Sequence, residues 1–144
     1  MSSNEKWDRR FLELASHIGE WSKDPSTKVG AVIVDNDRRI VSTGYNGFPK
    51  NVVDDEQKLN NRDVKYEMII HGEINAILFA QRSLKHCTLY TTPFMPCSRC
   101  ASIIVQSGIN RVVAPNNFPE RWAKQFDTSI QIFKESNVTV DFYD

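Results

Sequence analysis

The chain has 144 residues, 40% hydrophobic and 25% charged, enough for one domain with its own core. Lys plus Arg is 18 and Asp plus Glu is 18; this zero net charge argues against a broad nucleic-acid footprint, although a small phosphate pocket stays possible. Three cysteines imply a reducing compartment without a disulfide framework, and a polar N-terminus with no membrane-length apolar run leads us to expect a cytoplasmic protein.

Trp7, Phe11, Leu14, Ala15, Ile18 and Trp21 recur at three and four residues, which predicts an amphipathic helix from about Glu5 to Trp21 with these side chains in the core. Ser22 to Lys28 reads as a loop punctuated by Pro25. Val29–Val34 and Arg39–Tyr45 read as the two strands of a hairpin turning at Asn36-Asp37, closed by a loop with Gly44, Gly47 and Pro49. Lys50 to Tyr66 is the most polar stretch and reads as a long loop, either a solvated surface or a functional segment.

Glu73–Gln81 has a helical pattern with Ile74, Ile77, Leu78 and Phe79 available for burial. A strand Cys87–Thr91, a helix Cys97–Gln106 stopped by Gly108, and a strand Arg111–Ala114 follow. A helix Glu120–Glu135 and a strand Val138–Phe142 complete the chain. Strand and helix alternate after Glu73, which implies right-handed crossovers and parallel pairing. The expected fold is a three-layer α/β/α arrangement: a five-stranded mixed sheet covered by helices on both faces. The chain is expected to form one domain over 1–144.

The chemistry concentrates in His71-Gly72-Glu73 and Pro96-Cys97-Ser98-Arg99-Cys100. Cys97 and Cys100 are i and i+3, so they share a helix face, and Pro96 suits a helix start. His71 and Glu73 are i and i+2, so they serve one site only at a helix end. Two helix N-termini would then meet, and their partial positive charge favours thiolates. Three protein ligands with one nearby carboxylate suit a catalytic Zn2+, which keeps a fourth position for water and brings its pKa to roughly 7. The alternatives are a structural zinc completed by His17, His86 or Cys87, and no metal at all.

These motifs are those of zinc-dependent nucleobase deaminases. With Asp24-Pro25-Ser26-Thr27-Lys28-Val29-Gly30-Ala31-Val32-Ile33, Gly44-Tyr45-Asn46-Gly47, Asn75-Ala76-Ile77-Leu78-Phe79-Ala80 and Gln106-Ser107-Gly108-Ile109, the chain resembles the deoxycytidylate (dCMP) deaminase family, of cytidine deaminase-like fold, from about Phe11 to Val140. The resemblance implies hydrolysis of dCMP to dUMP and ammonia at a cyclic amidine C–N bond, supplying dUMP for dTMP synthesis. It implies one zinc per chain on His71, Cys97 and Cys100, with Glu73 as proton shuttle. It implies Ser26, Lys28 and Asn46 near the phosphate and sugar, and Thr92, Phe94 and Met95 near the base. It further implies a homohexamer regulated by dCTP (activator) and dTTP (inhibitor) with Mg2+. Gly44, Tyr45, Asn46 and Gly47, the acidic Asp54 and Asp55, and Arg82 as a relay are the expected regulatory residues.

Two departures stand out. Residues 48–70 contain no Cys or His, so the second, structural zinc of some phage-type relatives is not expected. Phe118 aligns with a Tyr that several relatives place near the substrate phosphate. Rival readings are a deaminase of dCTP, cytidine or a tRNA adenosine, and a non-catalytic nucleotide-binding zinc protein. The balanced charge speaks against RNA, and an unligated Glu73 speaks against an inert zinc.

Overall fold

The computed structural model describes residues 3–144. In chain order it contains α1 (Ser3–Gly19), β1 (Gly30–Val34), β2 (Ile40–Tyr45), α2 (Glu56–Asn60), α3 (Arg62–Met68) and α4 (Gly72–Ala80). Then come β3 (Thr88–Thr92), α5 (Ser98–Gln106), β4 (Arg111–Pro115), a 3-10 turn (Glu120–Trp122), α6 (Ala123–Glu135) and β5 (Thr139–Tyr143).

The five strands form one mixed sheet in the order β2-β1-β3-β4-β5. β1 pairs antiparallel with both β2 and β3, whereas β3–β4 and β4–β5 are parallel, joined through α5 and α6. The expected hairpin and the expected parallel half are both present. All five β1 residues are buried, as befits a strand covered on both faces. Ala31 and Ile33 turn to the cluster that holds Ala76, Cys100, Ile104 and Phe133 of α4, α5 and α6. Val32 and Val34 turn to the cluster that holds Phe11, Leu12 and Ala15 of α1. The alternation along one strand therefore sets the two outer layers.

Two features lock these layers. A Cβ on Gly30 would lie 1.8 Å from the Ala15 carbonyl oxygen, so α1 can approach β1 only across a glycine. On the same face Asp8 is buried and accepts from Arg111 Nη2 (2.6 Å), Tyr90 Oη (2.6 Å) and Tyr143 Oη (2.6 Å). One carboxylate thereby ties α1 to β3, β4 and β5.

The structure corrects four expectations. Trp21 lies beyond α1 and is 54% exposed, edge-on to Tyr45, because Gly19 ends the helix first. Leu78 and Phe79 are exposed on the outer side of α4. The polar stretch 50–66 is not one loop, since α2 and most of α3 lie in it. Asp55 accepts from the Lys58 amide and Asn61 from the Val64 amide, two side-chain caps that start α2 and α3. The last helix begins as a separate 3-10 turn.

Candidate active site

His71 and Cys97 are the N-cap residues of α4 and α5, both with extended backbone and neither using its side chain as a cap. The expected meeting of two helix N-termini is thus observed. Cys100 sits one turn into α5. His71 Nδ1 lies 3.1 Å from Cys100 Sγ and 3.5 Å from Cys97 Sγ, and the three ligand atoms fall within 4.8 Å of one another. Zinc with sulfur at about 2.3 Å and nitrogen at about 2.0 Å, arranged tetrahedrally, needs donor separations of about 3.5–3.8 Å. The donor set and its spacing fit that ion, and no fourth protein ligand joins the cluster among the described residues.

Glu73, in the first turn of α4, is 4% exposed. Its Oε1 is buried without a hydrogen-bond partner among the described residues. Burial pushes its carboxyl up to about 7, against the opposing pull of His71. The Cys97 thiol is held down to about 4, first by its hydrogen bond with Cys100 and also by His71. Cys100 is driven upward by the same contact and by burial. His71 is raised to about 9, chiefly by Cys97, although Cys100 lies nearer; either thiolate gives the same direction. Cys97 is therefore the sulfur disposed to be a thiolate, and Cys100 the one whose proton a cation must displace.

These groups open into a cavity. His71, Glu73, Cys97, Phe94 and Met95 line it together with Asp24, Ser26, Thr27, Val29 and Asn46 from the loop before β1 and the end of β2. Arg62, Lys65, Tyr66 and Ile69 contribute from α3 and its end, and Arg121, Trp122 and Phe126 from the last turn and α6. Asp24 is the hub of the loop. Its Oδ1 accepts from Lys65 Nζ (2.9 Å) and the Ser26 amide (2.8 Å), and its Oδ2 accepts from Asn46 Nδ2 (3.3 Å). Asn46 also donates to the Thr27 carbonyl and accepts from the Val29 amide, so it shapes the loop.

Of the expected substrate contacts, Ser26, Asn46 and Phe94 line this cavity, and Lys28, Thr92 and Phe118 do not. Lys28 donates to the Ser22 carbonyl. Thr92 is buried at the end of β3. Phe118 packs edge-on against Phe126 and Phe142, while Tyr66 brings a phenol to the lining instead.

The expected regulatory residues have local partners. A Cβ on Gly44 would lie 2.4 Å from the Ala76 nitrogen and the Gly72 oxygen, so this glycine admits α4 against β2. The Tyr45 carbonyl accepts from Asn75, Gly47 bridges to Ile70, Asp54 pairs with Lys23, and Asp55 caps α2. Arg82 donates to the Ser83 carbonyl just after α4.

Arg62, Lys65, Tyr66, Arg121 and Trp122 escaped the reading of the sequence. The caps Asp55 and Asn61 were signals of helix in the polar stretch; nothing local marks Arg121 or Trp122.

Residues 5–115 match the family model described as the cytidine and deoxycytidylate deaminase zinc-binding region. A protein named as an uncharacterized deaminase in the luxG 3' region of Aliivibrio fischeri is 44% identical over 138 residues, 94% of this chain and 92% of that one. Deoxycytidylate deaminase of Homo sapiens is 38% identical over 114 residues, 75% of this chain and 64% of the human one, so this chain spans under two thirds of the human protein. The dCMP deaminase of cyanophage S-TIM5, solved with dCMP and dUMP, shares the fold with a TM-score of 0.77 at 24% identity, over 99% of both chains. With residues 5–115 matched by the family model and relatives this similar over most of its length, the chain belongs to the cytidine and deoxycytidylate deaminase family.

Proposed function

We propose that the protein hydrolyses dCMP to dUMP and ammonia as one deaminase domain over 1–144. The observation that carries this reading is a single cavity lined both by His71, Cys97 and Glu73 and by Arg62 and Arg121. Neither arginine has a carboxylate partner among the described residues, and each lies over an aromatic ring, Tyr66 and Trp122 respectively. Cations of this kind suit a phosphate. The relatives named deoxycytidylate deaminase support the same substrate.

His71, Cys97 and Cys100 would hold the zinc, which when bound supplies a water ionised near neutral pH. Glu73 would take a proton from the attacking water and pass it to N3 of the base; it would then take the second proton from the hydroxyl now on C4 and give it to the departing amine, so that C4=O forms as ammonia leaves. Water adds to C4 and the C4–N4 bond breaks, so dCMP and water become dUMP and ammonia. Phe94 and Trp122 wall the ring against bulk water, and Ser26, whose hydroxyl accepts from Lys65 Nζ at 3.2 Å, joins the arginines at the phosphate. The reducing cytoplasm suits two thiolate ligands, and no helix of the described residues is long and apolar enough to cross a membrane.

The proposal includes regulation by dCTP and dTTP with Mg2+ in a homohexamer. Its support is the Gly44-Tyr45-Asn46-Gly47 turn followed by Asp54 and Asp55, and exposed Leu78, Phe79 and Ile103, an apolar surface for self-association. A magnesium triphosphate must compete there with Lys23 for Asp54.

Ammonia release from dCMP, dCTP, cytidine and deoxycytidine, side by side, tests the substrate. Preference for dCMP supports the reading; equal rates on dCMP and deoxycytidine overturn the phosphate assignment. Saturation curves with Mg2+ alone, dCTP and dTTP test regulation, and superimposed curves from a monomer refute it.

A further inference from the structure

The short helix α3 buries one residue, and that residue is a lysine. Lys65 is 6% exposed, while Arg62, Asp63, Tyr66 and Glu67 around it face solvent. A lysine is rarely buried without a partner, and the Asp24 carboxylate at 2.9 Å answers its charge. The ion pair leaves a second bond to explain. Lys65 Nζ also donates to Ser26 Oγ at 3.2 Å, and Ser26 is an exposed residue that lines the cavity.

That bond decides which way the hydroxyl works. A serine oxygen has two lone pairs and one proton. With the ammonium on a lone pair, the proton turns away from Lys65, and among the described residues no acceptor takes it. The Ser26 amide is held at the same time by Asp24 Oδ1 at 2.8 Å, so one ion pair fixes both main chain and side chain. What Ser26 offers the cavity is a donor O–H, strengthened by the cation on its oxygen. The matching ligand group is one that only accepts, such as a phosphate. The nearby arginines agree with this. Arg62 precedes Lys65 by three residues on α3, so the two share a helix face. Arg121 Nη2 lies 3.5 Å from the hydroxyl of Thr27, the residue after Ser26.

We propose that Lys65 is a positioning residue for the substrate's phosphate: it does not touch the nucleotide, but aims the Ser26 hydroxyl proton at a phosphate oxygen. This rests on the reading of the cavity as a nucleoside monophosphate site. Asp24 balances the lysine's charge, so the phosphate meets an oriented hydroxyl there and its free cations at Arg62 and Arg121.

The test is a double-mutant cycle read as preference, the kcat/KM for dCMP divided by that for deoxycytidine. Ser26→Ala deletes the donor and should lower the preference roughly tenfold, the scale of one hydrogen bond. Lys65→Met made together with Asp24→Asn removes the aiming cation without stranding a charge. This pair should lower the preference by a similar factor, mainly through KM. Adding Ser26→Ala to the pair should cost almost nothing further. A lysine that only holds the fold would weaken both substrates alike, so a pair with unchanged preference overturns the proposal. A further tenfold drop on adding Ser26→Ala overturns it too. Undiminished preference in Ser26→Ala alone does the same, whether or not the pair folds. An unaltered enzyme with no preference for dCMP instead sinks the monophosphate reading, and the Lys65 role falls with it.

Discussion

Lys65 Nζ lies 2.9 Å from Asp24 Oδ1, with both side chains 7% exposed, so a buried ion pair joins α3 to the loop before β1. Removing one partner of such a pair strands the other charge. Lys65→Ala should therefore cost about 3–5 kcal/mol in urea unfolding. The double variant Lys65→Met with Asp24→Asn should recover much of that loss. If Lys65→Ala unfolds like the native protein, the pair does not hold the loop.

The metal site separates binding from chemistry. Glu73→Gln should retain one zinc per chain by elemental analysis and lose nearly all activity, because the amide cannot take a proton. Cys97→Ser or Cys100→Ser should lose the ion and lower the melting temperature, since metal-binding energy is also folding energy. Near-normal turnover by Glu73→Gln would remove it from the mechanism.

Phosphate recognition should follow the arginines. Arg62→Ala and Arg121→Ala should each lower kcat/KM on dCMP by roughly ten- to a hundredfold, the scale of a charge-assisted hydrogen bond, with little change on deoxycytidine. Lys28→Ala should affect both substrates alike, because its ammonium is engaged by the Ser22 carbonyl. A loss confined to dCMP in Lys28→Ala would return the phosphate to that residue.

Asp8 gives the fold an acid-sensitive joint. Burial works to raise its carboxyl, but hydrogen bonds from Arg111, Tyr143 and Tyr90 and the Arg111 charge prevail and hold it below the ordinary 3.8. A lowered carboxylate contributes its full stability above 3.8 and loses it as pH falls through the folded value. Asp8→Asn should destabilise by about 3 kcal/mol at pH 7, near the low end for a broken buried pair because Asp141 still faces Arg111. Unfolding titrations at successively lower pH should show the gap from the native protein closing below pH 3.8. A constant gap would rule out Asp8 ionisation as its origin.

Gly44 separates packing from regulation. An added methyl meets α4 backbone at 2.4 Å, so Gly44→Ala should destabilise by about 1–3 kcal/mol without any effector present. Unchanged stability with altered dCTP or dTTP response would instead assign the glycine to regulation.

The sequence by itself determined the five strands, the four longer helices among them, the mixed sheet and the triad His71, Cys97 and Cys100. These rest on local signals: apolar period, cap residues and the donor chemistry of ligands that must lie at helix starts. Only the tertiary structure decided which charged and aromatic residues face the cavity. Lys65 looks like one more solvated cation until Asp24, 41 residues away, is folded against it. Lys28 is expected at the phosphate from its place in the sequence, and only the fold shows its ammonium donating to the Ser22 carbonyl. Arg121 and Trp122 carry no local mark, and their place beside Thr27, Tyr66 and Phe94 exists only once the last turn closes over the sheet end. The role of a polar side chain is set by its partners, and here those partners come from distant parts of the chain.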